Sequence, residues 1–171
     1  MSKNRNLVLI VGFALQSIMS SCKKNEEVFD KETKKKIEYK IEFPDTVYVN
    51  DLYSGVINYK SILDTITTSF DDKKKNRYVL FYLTIVDKPD PDYIHLKKVA
   101  KKFGADNNKK ISIYDVKFTR PGINYIDGII NDCVIIDTGK KDKNGSQLVR
   151  LIENEERITR KVIVINGHVS D

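Results

Sequence analysis

Residues 77–86 read Arg-Tyr-Val-Leu-Phe-Tyr-Leu-Thr-Ile-Val. Val79, Phe81, Leu83 and Ile85 share one parity, while Tyr78, Leu80 and Tyr82 share the other. Period-two alternation is the mark of a strand, and apolar side chains on both faces mark one buried on both sides, at the centre of a sheet. Upstream, Ile37-Glu38-Tyr39-Lys40-Ile41-Glu42-Phe43 alternates apolar and charged residues without a slip, as a half-buried strand does, and Pro44 ends it.

Working outward, further strands are expected over 46–49, 55–60, 62–70, 110–120, 128–137, 147–153 and 158–166. In residues 111–118 the apolar parity switches between Ile113 and Tyr114, which a β-bulge would produce. Asn144-Gly145 suits a tight hairpin, because both residues accept positive φ. Pro89 and Pro91 stiffen the turn over 88–92, and Asp92 is placed to cap a helix over 93–103. There Leu96, Val99, Ala100 and Phe103 recur at helical spacing, lysines occupy the opposite side, and Gly104 offers a stop.

Many short strands with turn signals and one helix predict a mainly β fold, an immunoglobulin-like β-sandwich with one short helix. The Cys…Trp…Cys marks of antibody-type domains are absent. An α+β domain, or a small β-barrel with one helix, is the alternative.

The first 21 residues stand apart. Lys3 and Arg5 form a basic start, and residues 7–15 (LVLIVGFAL) form an uncharged apolar run. It covers about half of the roughly 20 residues that a membrane-spanning helix needs. The segment closes with Ile18-Met19-Ser20-Ser21-Cys22. This resembles the lipobox of bacterial lipoprotein signal peptides, with Met19 standing where Leu is usual. The resemblance implies a signal peptide over 1–21, removed on export, and acylation of Cys22 by lipid chains that hold the chain on a bilayer.

Residues 22–36 are expected to be a charged tether, since 23–36 (KKNEEVFDKETKKK) carry few apolar side chains to pack. Glu26-Glu27 also resembles the acidic export signals of Bacteroidota-type lipoproteins. That implies a cell-envelope address, the outer membrane ahead of the inner, with periplasmic and surface faces both left open. Residues 37–171 are then a single β-rich globular domain. Asp45-Thr46-Val47 and Asp64-Thr65-Ile66 are similar to the acceptor tripeptide of O-glycosylation in such envelopes, which makes Thr46 and Thr65 candidate modification sites.

Without residues 1–21 the chain keeps 28 basic and 24 acidic residues, a mild excess of +4. Only 6 of the 30 basic residues of the full chain are Arg, the side chain best shaped for phosphate and base recognition, so nucleic acid is not expected as a partner. With Cys22 acylated, Cys133 is the one remaining thiol. It lies in the apolar run 128–136, where a small buried hydrophobe is the expected role.

No metal site, cofactor or catalytic set is expected. Asp87, Asp90 and Asp92 lack the spacing of a calcium loop, and lysines crowd Asp142-Lys143-Asn144-Gly145. The two histidines, His95 and His168, show no informative spacing; His95 falls in the first helical turn, where a surface position is the default. The expected function is therefore a non-enzymatic interaction or accessory module of the envelope, with the bilayer and envelope proteins as partners. The alternative is a glycan- or small-ligand-binding lipoprotein. A hydrolase would require a cleft joining His95 or His168 to acidic partners.

Overall fold

The computed structural model describes residues 35–167; Cys22, most of the tether and His168 lie outside them. The chain runs β1 (Ile37–Glu42), β2 (Thr46–Tyr48), β3 (Leu52–Ser61), a single 3-10 turn (Ile62–Thr65), β4 (Lys75–Val86), α1 (Tyr93–Val99), β5 (Lys101–Asn107), β6 (Lys110–Lys117), β7 (Gly122–Lys141) and β8 (Gln147–Ile165). The domain is mainly β with one short helix. Its eight strands form one strongly curled mixed sheet in the order β1-β3-β6-β5-β4-β7-β8-β2. All neighbours are antiparallel except β2 and β8.

Two layers face each other as in a sandwich, and β5 joins them: its first half pairs with β4, and its second half with β6. Ile37, Ile57, Ile111 and Ile113 of one layer share a core with Val79, Phe81, Ile126, Ile130, Ile158 and Val162 of the other. β4 lies between β5 and β7, as its two apolar faces require. The inward set is Arg77, Val79, Phe81 and Leu83, all nearly solvent-free.

Gly128 of β7 makes room for Phe81. A Cβ there would meet the Phe81 ring and the Tyr82 carbonyl oxygen at 2.4 Å, so no larger residue fits without displacing backbone. The expected bulge is present: Tyr53 and Gly55 of β3 oppose Val116 and Ile113 of β6, which leaves one extra residue on β6. Asp115 takes up the excess at φ 53°, and burial passes from Ile111 and Ile113 to Val116 and Phe118.

Several boundaries differ from the sequence expectations: β7 spans Gly122–Lys141 against the expected 128–137, and three further differences have a local cause. Residues 62–70 form the 3-10 turn and a loop, not a strand. Ser61 Oγ accepts the Leu63 N–H to cap the turn, and Asp64 is drawn to Arg77. α1 stops at Val99, because Phe103 and Ala105 alternate into the core as part of β5. β8 runs unbroken through the polar stretch 153–157, where Asn131 donates to Glu153 and Glu155 and Arg157 donates to Asp127, while the buried Asn154 Nδ2 is left without a partner.

Candidate functional site

α1 begins where the sequence placed it. Asp92 Oδ1 accepts the N–H groups of Ile94 and His95, at 2.8 and 3.1 Å. The 88–92 turn in front of it is pinned by Asp127, a wholly buried carboxylate on the outer face of β7. Asp127 accepts the Asp90 N–H at 3.0 Å, both branches of the Arg157 fork at 2.8 and 2.6 Å, and the Thr159 hydroxyl at 3.2 Å. Arg157 also donates to the Asp90 carbonyl oxygen and lies 5.1 Å from the Tyr93 ring centroid. A buried carboxylate is tolerable only when so fully partnered.

Fixed in this way, Asp90 turns its carboxylate to the helix. Oδ1 accepts the Asp92 N–H at 2.8 Å, and His95 Nδ1–H donates to Oδ2 at 2.5 Å. The His95 hydrogen bond, followed by the Asp92 N–H, holds the Asp90 carboxyl below its ordinary value. With Nδ1 engaged, Nε2 is the ring's remaining polar atom. The structure therefore joins two residues that the sequence reading kept apart. The signal was an Asp two positions before a cap residue, which brings it round to the first helical turn.

His95 and Asp90 sit on the rim of a groove of about 430 Å³. Leu96 and Val99 of α1 line one side, residues 83–86 at the end of β4 the floor, and residues 115–117 at the β6 bulge the other side. The groove exists because β5 leaves both neighbours there: it pairs with β4 only as far as Leu83, and with β6 only from Ile111 back. Lys101, at the start of β5, donates to the Tyr114 carbonyl oxygen at 3.0 Å and lies 5.3 Å from the Tyr114 ring centroid. Half of the residues that line the groove are aliphatic, the rest are polar or charged, and none is a tyrosine. The Thr84 hydroxyl, the one hydroxyl in the lining, already donates to the Asp127 carbonyl oxygen at 2.8 Å.

The other residues singled out in the sequence lie elsewhere. Thr46 is exposed on β2, and Thr65 is exposed at the end of the 3-10 turn, its hydroxyl donating to the Ile62 carbonyl oxygen at 2.7 Å. Cys133 is fully buried, and burial pushes its thiol above the ordinary value, away from nucleophile chemistry. Asp142 Oδ1 accepts two N–H groups of its own hairpin turn, from Asn144 and Ser146. Among the described residues, no group of three or more His, Cys, Asp or Glu side chains is arranged to hold a metal ion, and no helix is long and apolar enough to cross a membrane.

Fold and groove together define a mainly β, sandwich-like domain with one short helix roofing a groove at the seam between its layers. No family profile matches the chain, and neither a curated protein nor a solved structure does.

Proposed function

We propose that this chain is an exported lipoprotein, acylated at Cys22, which presents its β domain at an envelope membrane as a non-enzymatic interaction or accessory module. The observation that carries this reading is Cys22 itself, which follows Ser20-Ser21 at the end of an uncharged, largely apolar segment. The outer membrane is the address favoured by Glu26-Glu27. Thr46 and Thr65 remain the acceptors for O-linked sugar, and both stand on the surface. The test is metabolic labelling with radioactive palmitate: the wild type takes up label and Cys22→Ala does not, whereas equal labelling overturns the assignment. Protease shaving of intact cells then separates the surface face from the periplasmic one.

The groove beside α1 favours a second reading, a lipoprotein that binds a small ligand. Aliphatic side chains interleaved with charged ones and no aromatic platform suit an apolar body carrying polar groups better than a sugar, which stacks on aromatic rings. Such a ligand, saturating at a hundred times its dissociation constant, would stabilise the domain by about 2.7 kcal/mol. The groove variant Val99→Asp would lose that gain; a variant that kept it would exclude the groove as the site.

A further inference from the structure

The β7–β8 hairpin outruns the sheet. β4 starts at Lys75, opposite Ile136, so residues 137–149 continue as a two-stranded ribbon with no third strand. From the base to the turn the ribbon projects by about 17 Å, at about 3.4 Å per residue. All of residues 137–151 are exposed, among them Leu148, Val149 and Leu151 at 44%, 57% and 60%. An isolated ribbon is marginal in water, and Leu148 and Val149 on it, with Leu151 just below its base, find no cover within the domain.

The ribbon is also basic. Lys140, Lys141 and Lys143 stand on it, and Arg150 with exposed Lys73 and Lys74 flanks its base beside Asp71 and Asp72, where the Asp137 N–H donates to the Lys74 carbonyl oxygen at 2.9 Å. Its two carboxylates are turned to its own donors. Asp137 accepts the Gly139 N–H and the Gln147 amide, and Asp142 accepts the Asn144 and Ser146 N–H groups. The lysines are left to face outward.

The 3-10 turn links the point where the chain enters to the strands at the base of the ribbon. The Ile62 N–H donates to the Lys36 carbonyl oxygen, Lys35 pairs with Glu156, and Asp64 in the 3-10 turn pairs with Arg77 at the start of β4. The 13 residues from Cys22 to Lys35 span at most about 45 Å. Any bilayer that holds Cys22 therefore lies within about 45 Å of Lys35, a reach that includes the ribbon.

We infer that the β7–β8 ribbon is a membrane-docking surface for the bilayer that carries the anchor. Its lysines face anionic phospholipid headgroups, and Val149 and Leu151, which share one face of β8, enter the interfacial layer. The inference rests on the anchoring reading only for which surface lies within reach.

The test uses the full-length acylated protein in vesicles of phosphatidylcholine with or without phosphatidylglycerol. Buried Cys133 leaves the introduced thiol free for selective labelling. A fluorophore at Val149→Cys is quenched by headgroup spin-labelled lipid several-fold more than one at Asp51→Cys, at the far end of the domain. Quenching requires phosphatidylglycerol, and it disappears at 1 M salt and in the triple variant Lys140→Glu, Lys141→Glu, Lys143→Glu. Equal quenching at both positions, or quenching unmoved by charge reversal, overturns the inference, as does a Val149 label shielded only when an acidic envelope protein is added. Palmitate uptake without docking leaves the anchor standing and removes the inference. Flotation of Cys22→Ala with phosphatidylglycerol vesicles establishes docking without the anchor.

Discussion

Arg77 and Asp132 meet in a two-bond fork inside the core, Nε to Oδ1 at 2.9 Å and Nη2 to Oδ2 at 2.7 Å, with neither side chain reaching solvent. Nη1 donates to Asp64 at 2.7 Å and to the Thr67 carbonyl oxygen at 2.5 Å. Burial alone would lower the Arg77 pKa, and the two carboxylates reverse the sign. This fork fixes the loop after the 3-10 turn to the interior of β4 and β7.

Asp132→Asn leaves Arg77 with Asp64 as its one carboxylate partner, and is expected to lower stability by about 1–3 kcal/mol, the usual cost of weakening a buried hydrogen-bonded charge. The double variant Arg77→Met, Asp132→Leu is expected to recover much of that loss. Urea unfolding of the wild type and both variants checks the pair, and a double variant no more stable than Asp132→Asn would show that the uncompensated charge is not what costs stability.

Gly128→Ala is a second, independent probe of the core. The added methyl would overlap both the Phe81 ring and the rigid Tyr82 carbonyl oxygen. Overpacking costs about 1–3 kcal/mol, and contact with backbone places this site at the upper end. Adding Phe81→Leu should relieve the ring clash and leave the carbonyl clash. A lowered melting temperature, partly restored in the double variant, is the expected result.

Much of this core was legible, because β4 and β1 carry strict period-two patterns and both became strands at nearly the expected positions. Residues 62–70 misled because Ile62, Leu63 and Ile66 are as apolar as a strand, while the reason for the turn lies thirteen residues away, in the pull of Arg77 on Asp64. The helix was overextended because Phe103 fits helical and alternating patterns equally, and its burial against distant strands decided between them. The Asp90–His95 pair was half legible. Both residues were in view, but the Asp127 anchor that aims Asp90 belongs to a strand over thirty residues on. The groove could not be read at all, since it arises where β5 parts from two strands remote in sequence.

The Asp90–His95 pair gives a pH signature. The folded-state pKa of Asp90 is depressed below 3.8, so its contribution is complete above the unfolded value and is lost as pH falls through the depressed one. A carboxyl-carbon NMR titration should place the Asp90 midpoint below 3.8, and His95→Ala should move it back upward. A midpoint at the ordinary value in the wild type would mean that the pair does not form in solution.

Cys133 reports on fold and anchor together. Its thiol is fully buried and held above its ordinary value by burial, so the native chain exported and acylated at Cys22 should leave a thiol reagent such as dithionitrobenzoate almost unreacted. Denaturation should release one equivalent from acylated protein, because Cys22 is blocked, and two from protein made without the acylating machinery. Two equivalents from protein purified out of the membrane fraction would remove the thioether at Cys22. One fast-reacting equivalent from native acylated protein would instead show that the outer face of β7 opens at Cys133, a failure of the packing and not of the anchor.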